Sequence, residues 1–209
     1  AATLPEAQAA AAKGDAAVAH AERILAQLLL LARVDTAEGA ALAAPLDLAA
    51  LARDLTAEHI PAAAEAGIDL GFEGEGPVTV RAEPLLMGEA LSNLISNALL
   101  HAGRAAVVTV RVGRAGGDAV LEVEDNGPGI PAEARAAAVS RFARGETSGP
   151  GMGLGLPVAL EIASLFGGRL TLDEGAGGRG LLARITLLAL ARAGSVQENA
   201  GIDTEPLQS

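Results

Sequence analysis

The sequence of 209 residues contains no cysteine, tryptophan or tyrosine, and only three phenylalanines. Without cysteine there can be neither a disulfide framework nor a thiolate metal site, which fits a reducing compartment. With so few aromatics, any core must be aliphatic; half of the residues are hydrophobic, enough to bury a sizeable one. Long apolar runs are missing too. The leucine-rich run from Leu28 to Ala32 falls far short of the ~20 residues that a membrane-spanning helix needs. Positive charge is scarce, with 15 Lys and Arg against 26 Asp and Glu, a net of −11. That balance argues against a nucleic-acid backbone or an anionic membrane surface as the main partner. The opening, Ala1-Ala2-Thr3-Leu4-Pro5, lacks the basic end and cleavage pattern of a secretion signal. It also lacks an initiating Met, so further chain is expected upstream of a soluble piece.

What is present centres on Glu89 to His101. At 3.6 residues per turn, Leu91, Leu94, Ile95 and Ala98 form an apolar stripe, while Glu89, Asn93 and Asn97 stack on another face beside Ser92 and Ser96. A solvated helix face normally carries Lys, Arg and Glu, because Asn and Ser are poorer helix formers. Two amides one turn apart suit a helix that faces a polar ligand or a metal. A polar cap on a surface helix is the plain alternative.

Around this stretch the chain divides into three parts: 1–44, 45–191 and a polar tail, 192–209, expected to be disordered. Gly14 to Val34 reads as a helix whose Val18, Ala21, Leu25, Leu28 and Ala32 form a two-helix seam. It calls for a partner, from the upstream chain or from a second copy in a homodimer; folding back on the main domain is the plain alternative. Asp35 to Pro45 reads as a linker, and Leu46 to Ala66 as a short extended lead-in and a helix with Leu48, Leu51, Leu55 and Ile60 on its apolar side. Ile68 to Phe72 and Val78 to Val80 read as strands joined by a Gly-rich turn, and Glu83-Pro84 as the start of the central helix. Ala106 to Val112 and Ala119 to Glu124 form a hairpin through Gly116-Gly117, and helices follow over Ala132 to Val139 and from the stretch Gly151 to Leu156 as far as Phe166. Arg169 to Leu172 and Gly180 to Leu188 are the last strands. Strands in hairpin-like pairs predict an α+β fold: a two-layer α/β sandwich, mostly antiparallel, with helices on one face.

Two further motifs bear on chemistry. Asp125 leaves a strand into Gly127-Pro128-Gly129-Ile130, where glycines let the backbone approach a flat ligand and the carboxylate can accept from a buried amino group. Gly151, Gly153 and Gly155 lead into a helix, whose free N–H groups suit phosphate. Each alone is weak: the first is a tight turn, and the second is neither a Rossmann nor a Walker pattern.

In order, the Asn93/Asn97 helix, Asp125-x-Gly127-x-Gly129, Arg141-Phe142-Ala143-Arg144-Gly145 and Gly151-x-Gly153-x-Gly155 resemble the ATP-binding catalytic domain of sensor histidine kinases, the Bergerat or GHKL fold. The resemblance covers Leu46 to Leu190. It implies that Asn97 ligates Mg²⁺ between the ATP phosphates, with Asn93 one turn earlier, and that Asp125 accepts from the adenine amino group. Gly127, Gly129 and Ile130 then form the wall beside it and His101 flanks the nucleotide. Phe142 matches the aromatic of a lid in which Arg141 and Arg144 reach phosphate, and Gly151, Gly153, Leu154 and Gly155 approach the phosphates. Two positions depart: Leu100 stands where a basic residue is common, and Pro157 follows the glycines. In the gyrase, heat-shock and mismatch-repair branches a Glu occupies the position of Asn93; an amide cannot serve as that base, which favours transfer of phosphate over its hydrolysis.

The resemblance extends to function. ATP would phosphorylate a histidine of a dimerisation and phosphotransfer domain, of which Gln27 to Arg33 resembles the second helix, and a response regulator receiver domain would take the group. His20, His59 and His101 all lack the flanking residues of a phosphoacceptor. The domain would be cytoplasmic, with the full-length protein anchored in the inner membrane. A serine kinase of the anti-sigma-factor type and an ATP-sensing interaction module without transfer are the rival readings.

Overall fold

Leu91, Leu94, Ile95 and Ala98 are all buried, so the stripe read from sequence is the centre of the core. A computed structural model describes residues 42–74, 76–139 and 155–191. The helix expected over Gly14 to Val34, the stretch from Arg141 to Leu154 and the tail lie outside the described residues. The described elements are β1 (Ala44–Asp47), α1 (Leu48–Ala66), β2 (Asp69–Gly74), β3 (Thr79–Ala82), α2 (Pro84–His101), β4 (Val107–Ala115), β5 (Asp118–Asp125), α3 (Ala132–Ala138), α4 (Gly155–Leu165), β6 (Arg169–Glu174) and β7 (Leu181–Leu188).

Five strands form the main sheet in the order β2-β4-β5-β7-β6, with β2–β4 parallel and the other pairings antiparallel. Alternate residues point to opposite faces of a strand. On the inner face Val108, Val110, Leu121, Val123, Ala183 and Ile185 are buried in one cluster with α1, α2 and α4. The outer face carries Arg111, Glu122, Glu124 and Arg184 instead. This is the two-layer sandwich with helices on one face that the sequence predicts.

Local chemistry sets the ends of these elements. Asp47 caps α1 by accepting from Ala49 N (3.0 Å), and also accepts from Val78 N at 3.3 Å, which ties the chain before α1 to the start of β3. Glu83 caps α2 through Leu86 N at 2.7 Å, with Pro84 in the first helical position, where a missing N–H costs nothing. Among the described residues His59 bonds within its own helix, Nδ1 to Leu55 O at 2.9 Å, in keeping with a structural role.

Three expectations need correction. Ile68 to Phe72 and Val78 to Val80 are not partners: β2 lies parallel to β4, whereas β3 pairs with β1 in a separate two-stranded sheet. The linker therefore ends early, because Ala44 and Pro45 already belong to β1. Of the apolar side expected for α1, Leu48 is buried and Leu51 and Leu55 pack against the core, but Ile60 is half exposed (50%); Ala49, Ala52, Thr56 and Ala63 complete the buried side.

Ala105, in the turn between α2 and β4, has φ of 59° and is the one non-glycine at positive φ among the described residues. Its N–H donates to Gly67 O at 2.8 Å, so the turn holds it there. The left-handed conformation costs an L-residue ~1–2 kcal/mol, and glycine's greater freedom in the unfolded chain offsets ~0.5–1 of that. Ala105→Gly is therefore expected to stabilise the fold by about 0.5 kcal/mol, read as a higher urea midpoint at unchanged slope.

Candidate functional site

Helix α2 presents Asn93, Asn97 and His101 at successive turns, and each sits against something different. Asn93 is buried, and its Nδ2 donates to Glu89 O (2.9 Å) and Glu89 Oε1 (3.0 Å). A Cβ placed on Gly155, the first residue of α4, would lie 3.3 Å from Asn93 Oδ1. Asn93 was expected to face the ligand beside Asn97; it is instead packed between Glu89 and α4. Asn97 is half-buried and makes no side-chain hydrogen bond among the described residues. His101 is exposed at the end of the helix. Leu100 beside it is 46% exposed.

The second part of the site meets α2 at its C-terminal end. Asp125 closes β5 and is 6% exposed, with its Oδ1 accepting from Gly127 N at 2.9 Å. Burial raises its pKa; hydrogen bonds from the backbone at Gly127 and Leu181 and the charge of His101 offset part of that rise. Gly127 is required here, because a Cβ would stand 2.6 Å from Ala102 Cα, just past the end of α2. The turn after Asp125 and the helix bearing Asn97 are thus in backbone contact. Gly155 at the start of α4 meets the same helix one turn before Asn97, so along α2 the position of Asn97 lies between the contacts with Gly155 and Gly127. Pro157 falls in the first turn of α4, where the lost N–H costs little.

Sequence reasoning missed the support behind Asp125. Gly180, just before β7, has φ of +79°, and a Cβ there would lie 1.7 Å from Asp125 O. Gly129, at φ +71°, in turn leaves no room for a Cβ beside Gly180 O, 2.4 Å away. Ala176 N donates to Glu124 Oε1 at 2.5 Å, which ties the β6–β7 turn to the same strand end. The signal was the cluster Gly175, Gly177, Gly178 and Gly180, which reads as an ordinary hairpin turn. Of the other expected site residues, Ile130 is half-buried beside Gly129, while Arg141, Phe142, Arg144, Gly151, Gly153 and Leu154 lie outside the described residues.

A broad concavity of about 830 Å³ lies on the outer face of the sheet, among Arg111, Glu122, Arg169 and Arg184. Most of its guanidiniums are already matched: Arg111 by Glu73 and Glu124, Arg184 by Glu122 and Asp173, and Arg169 by Asp118, while Arg114 donates to the Leu190 carbonyl. That leaves little free charge for a phosphate, so size alone does not make it the site.

Residues 82–190 match the family described as histidine kinase-, DNA gyrase B-, and HSP90-like ATPase. Among curated proteins, the sensor protein kinase PmrB of Pseudomonas aeruginosa is 37% identical over 78% of this chain and 35% of its own length. The probable sensor histidine kinase TcrY of Mycobacterium tuberculosis is 33% identical over 74% of this chain and 33% of its own. The chain thus spans about a third of the length of the curated relatives it matches. Among solved structures, the mycobacterial sensor histidine kinase MprB aligns with 70% of this chain and 97% of its own at a TM-score of 0.61 and 28% identity. No helix among the described residues is long and apolar enough to cross a membrane. The matched span takes in α2, the turn after Asp125 and the start of α4, and on that ground the chain belongs to the histidine kinase-, DNA gyrase B-, and HSP90-like ATPase family, as an ATP-binding catalytic domain of the sensor histidine kinase type.

Proposed function

We propose that this chain is the kinase domain of a bacterial sensor histidine kinase. It holds ATP and passes the γ-phosphoryl group to a histidine outside this chain, and an aspartate of a response regulator's receiver domain then takes it. The observation that carries this reading is Asp125: a carboxylate buried at a strand end, in a backbone cradle that Cβ atoms at positions 127 and 180 would fill. Such an acceptor suits a single buried amino group, here that of adenine. Gly127, Gly129 and Ile130 form the wall beside the ring, and His101 flanks it.

Phosphoryl transfer depends on positioning and charge neutralisation. The attacking imidazole nitrogen bonds to the γ-phosphorus as the bridging P–O bond breaks, and ADP leaves. Among the described residues no group of three or more His, Cys, Asp or Glu could hold a metal ion. Mg²⁺, however, uses one or two protein ligands and takes the rest from phosphates and water, so the amide oxygen of Asn97 suffices in this role. When bound, the ion neutralises phosphate charge. Arg141 and Arg144, with Phe142 in the lid and Gly151, Gly153 and Leu154 approaching the phosphates, complete the assignment by family match; Gly155 places α4 against α2. The rest of the protein would supply most of the dimerisation and phosphotransfer domain and an inner-membrane anchor, and the segment Gly14 to Val34 of this chain a homodimer contact, with this domain in the cytoplasm.

Calorimetric titration with a non-hydrolysable ATP analogue tests the site. The parent is expected to bind more tightly with Mg²⁺ than without it. Asn97→Ala should lose about tenfold or more in affinity and become indifferent to the ion. No binding by the parent would sink the reading. Transfer from labelled ATP to a supplied dimerisation domain then tests the acceptor. Label on histidine supports a histidine kinase, label on serine would mean the anti-sigma-factor type, and binding without transfer would mean an ATP-sensing module.

A further inference from the structure

Asn93 is the member of α2's polar face that is closed off from solvent, and its amide can sit in only one sense. Both acceptors of its Nδ2, the carbonyl and the carboxylate of Glu89, lie one turn back along the helix at 2.9 and 3.0 Å. The nitrogen must face them, because the amide oxygen there would meet two acceptors. Oδ1 is thereby turned toward Gly155, where a Cβ would come within 3.3 Å. At the start of a helix the first N–H groups lack intrahelical partners and carry the positive end of the dipole, so an amide oxygen is the favoured neighbour. A flipped amide would set its oxygen against the Glu89 carboxylate and turn its N–H groups toward the start of α4.

Resting on the proposed nucleotide site, we infer that Glu89 is a positioning residue. Its carboxylate fixes the sense of the Asn93 amide, and Asn93 Oδ1 seats the start of α4 beside the bound nucleotide. The function of Glu89 is thus exercised through Asn93. A side chain that still offers an acceptor at the same reach, such as Gln, can replace it; Ala cannot.

Titration of an ATP analogue with Mg²⁺ into the parent, Glu89→Ala, Glu89→Gln, Asn93→Ala and the double variant Glu89→Ala/Asn93→Ala tests this. Glu89→Ala is expected to bind about five- to tenfold more weakly and Glu89→Gln within about twofold of the parent. Glu89→Ala should add nothing in the Asn93→Ala background, which a general weakening of α2 would not produce. Parent-like binding by Glu89→Ala, or a full loss added on top of Asn93→Ala, would overturn the inference. Amide hydrogen exchange at Leu156 and Val158 needs no nucleotide. It should be several-fold faster in Glu89→Ala and restored in Glu89→Gln. Unchanged exchange would overturn the inference even if the parent bound nothing, an outcome that would separately remove the nucleotide site.

Discussion

Asp125→Asn is expected to weaken binding of an ATP analogue by roughly 10- to 100-fold, the worth of ~1.5–3 kcal/mol for a hydrogen bond to a charged group. The fold should survive with little change, within about 1 kcal/mol, because two effects oppose. Asn still accepts from Gly127 N, but its amide cannot serve both that N–H and the one at Leu181 as the carboxylate does. Against this, the variant no longer holds an ionised group in a buried site. Burial raises the folded pKa of Asp125 above its ordinary 3.8, so between the two values the native state carries the extra proton. Through this group stability is greatest below the ordinary value and falls as pH rises through the folded one. Affinity for nucleotide should run the other way, dropping as acid protonates the carboxylate at a pH above 3.8. The Asn variant, titrated alongside, reports the ligand's own protonation. Binding by Asp125→Asn equal to that of the parent would take this residue out of the site.

The neighbouring residue has the opposite logic. Burial alone would raise the pKa of Glu124, but the Ala176 N–H and Arg111 outweigh it and hold the carboxyl below its usual 4.5. Its contribution to stability is present above that value and is lost as pH falls through the folded pKa. One strand end thus carries a carboxylate on the outer face that secures the sheet and one on the inner face that costs stability. The second is kept, if it holds adenine as proposed, for what it accepts.

The elements legible from sequence were those whose partners lie close along the chain. The β4–β5 hairpin pairs Ala115 with Asp118 around Gly116-Gly117, and the stripe of α2 lies on the core because large aliphatics mark it. Parallel pairing of β2 with β4 was illegible, since α2 intervenes and a short strand carries no mark of its partner's direction. The apolar side of α1 was legible through Leu48, Leu51 and Leu55, which lie on the core, but Ile60 was misplaced because alanines and Thr56 share that face and a pattern of large residues does not mark them. At the site, Asp125, Gly127 and Asn97 stood out as motif residues. The burial of Asn93 depended on Gly155, 62 positions away, and the need for Gly180 on a backbone contact to Asp125, neither of which local pattern encodes.

Gly180→Ala should damage the fold far more than the same change at either of two other turn glycines. Its backbone is at φ +79°, where an L-residue loses ~1–2 kcal/mol, and the new Cβ would meet Asp125 O at 1.7 Å, an overlap that backbone cannot absorb without moving. Forcing atoms into packed space costs a further ~1–3 kcal/mol, so a total of about 3–4 is expected, or roughly a 10 °C drop in Tm. The two glycines used for comparison separate the causes. Gly177 is also left-handed, at φ +70°, but nothing lies within 4 Å of its would-be Cβ, so Gly177→Ala should lose only the conformational part, about 1 kcal/mol. Gly117 has open space and no positive φ, and Gly117→Ala should leave stability unchanged. Nucleotide binding should follow contact rather than conformation, lost in Gly180→Ala, which displaces the backbone of Asp125, and kept in the other two. If Gly180→Ala melts with Gly177→Ala and still binds, the strand end must yield easily, and Asp125 owes its position to something other than the backbone behind it.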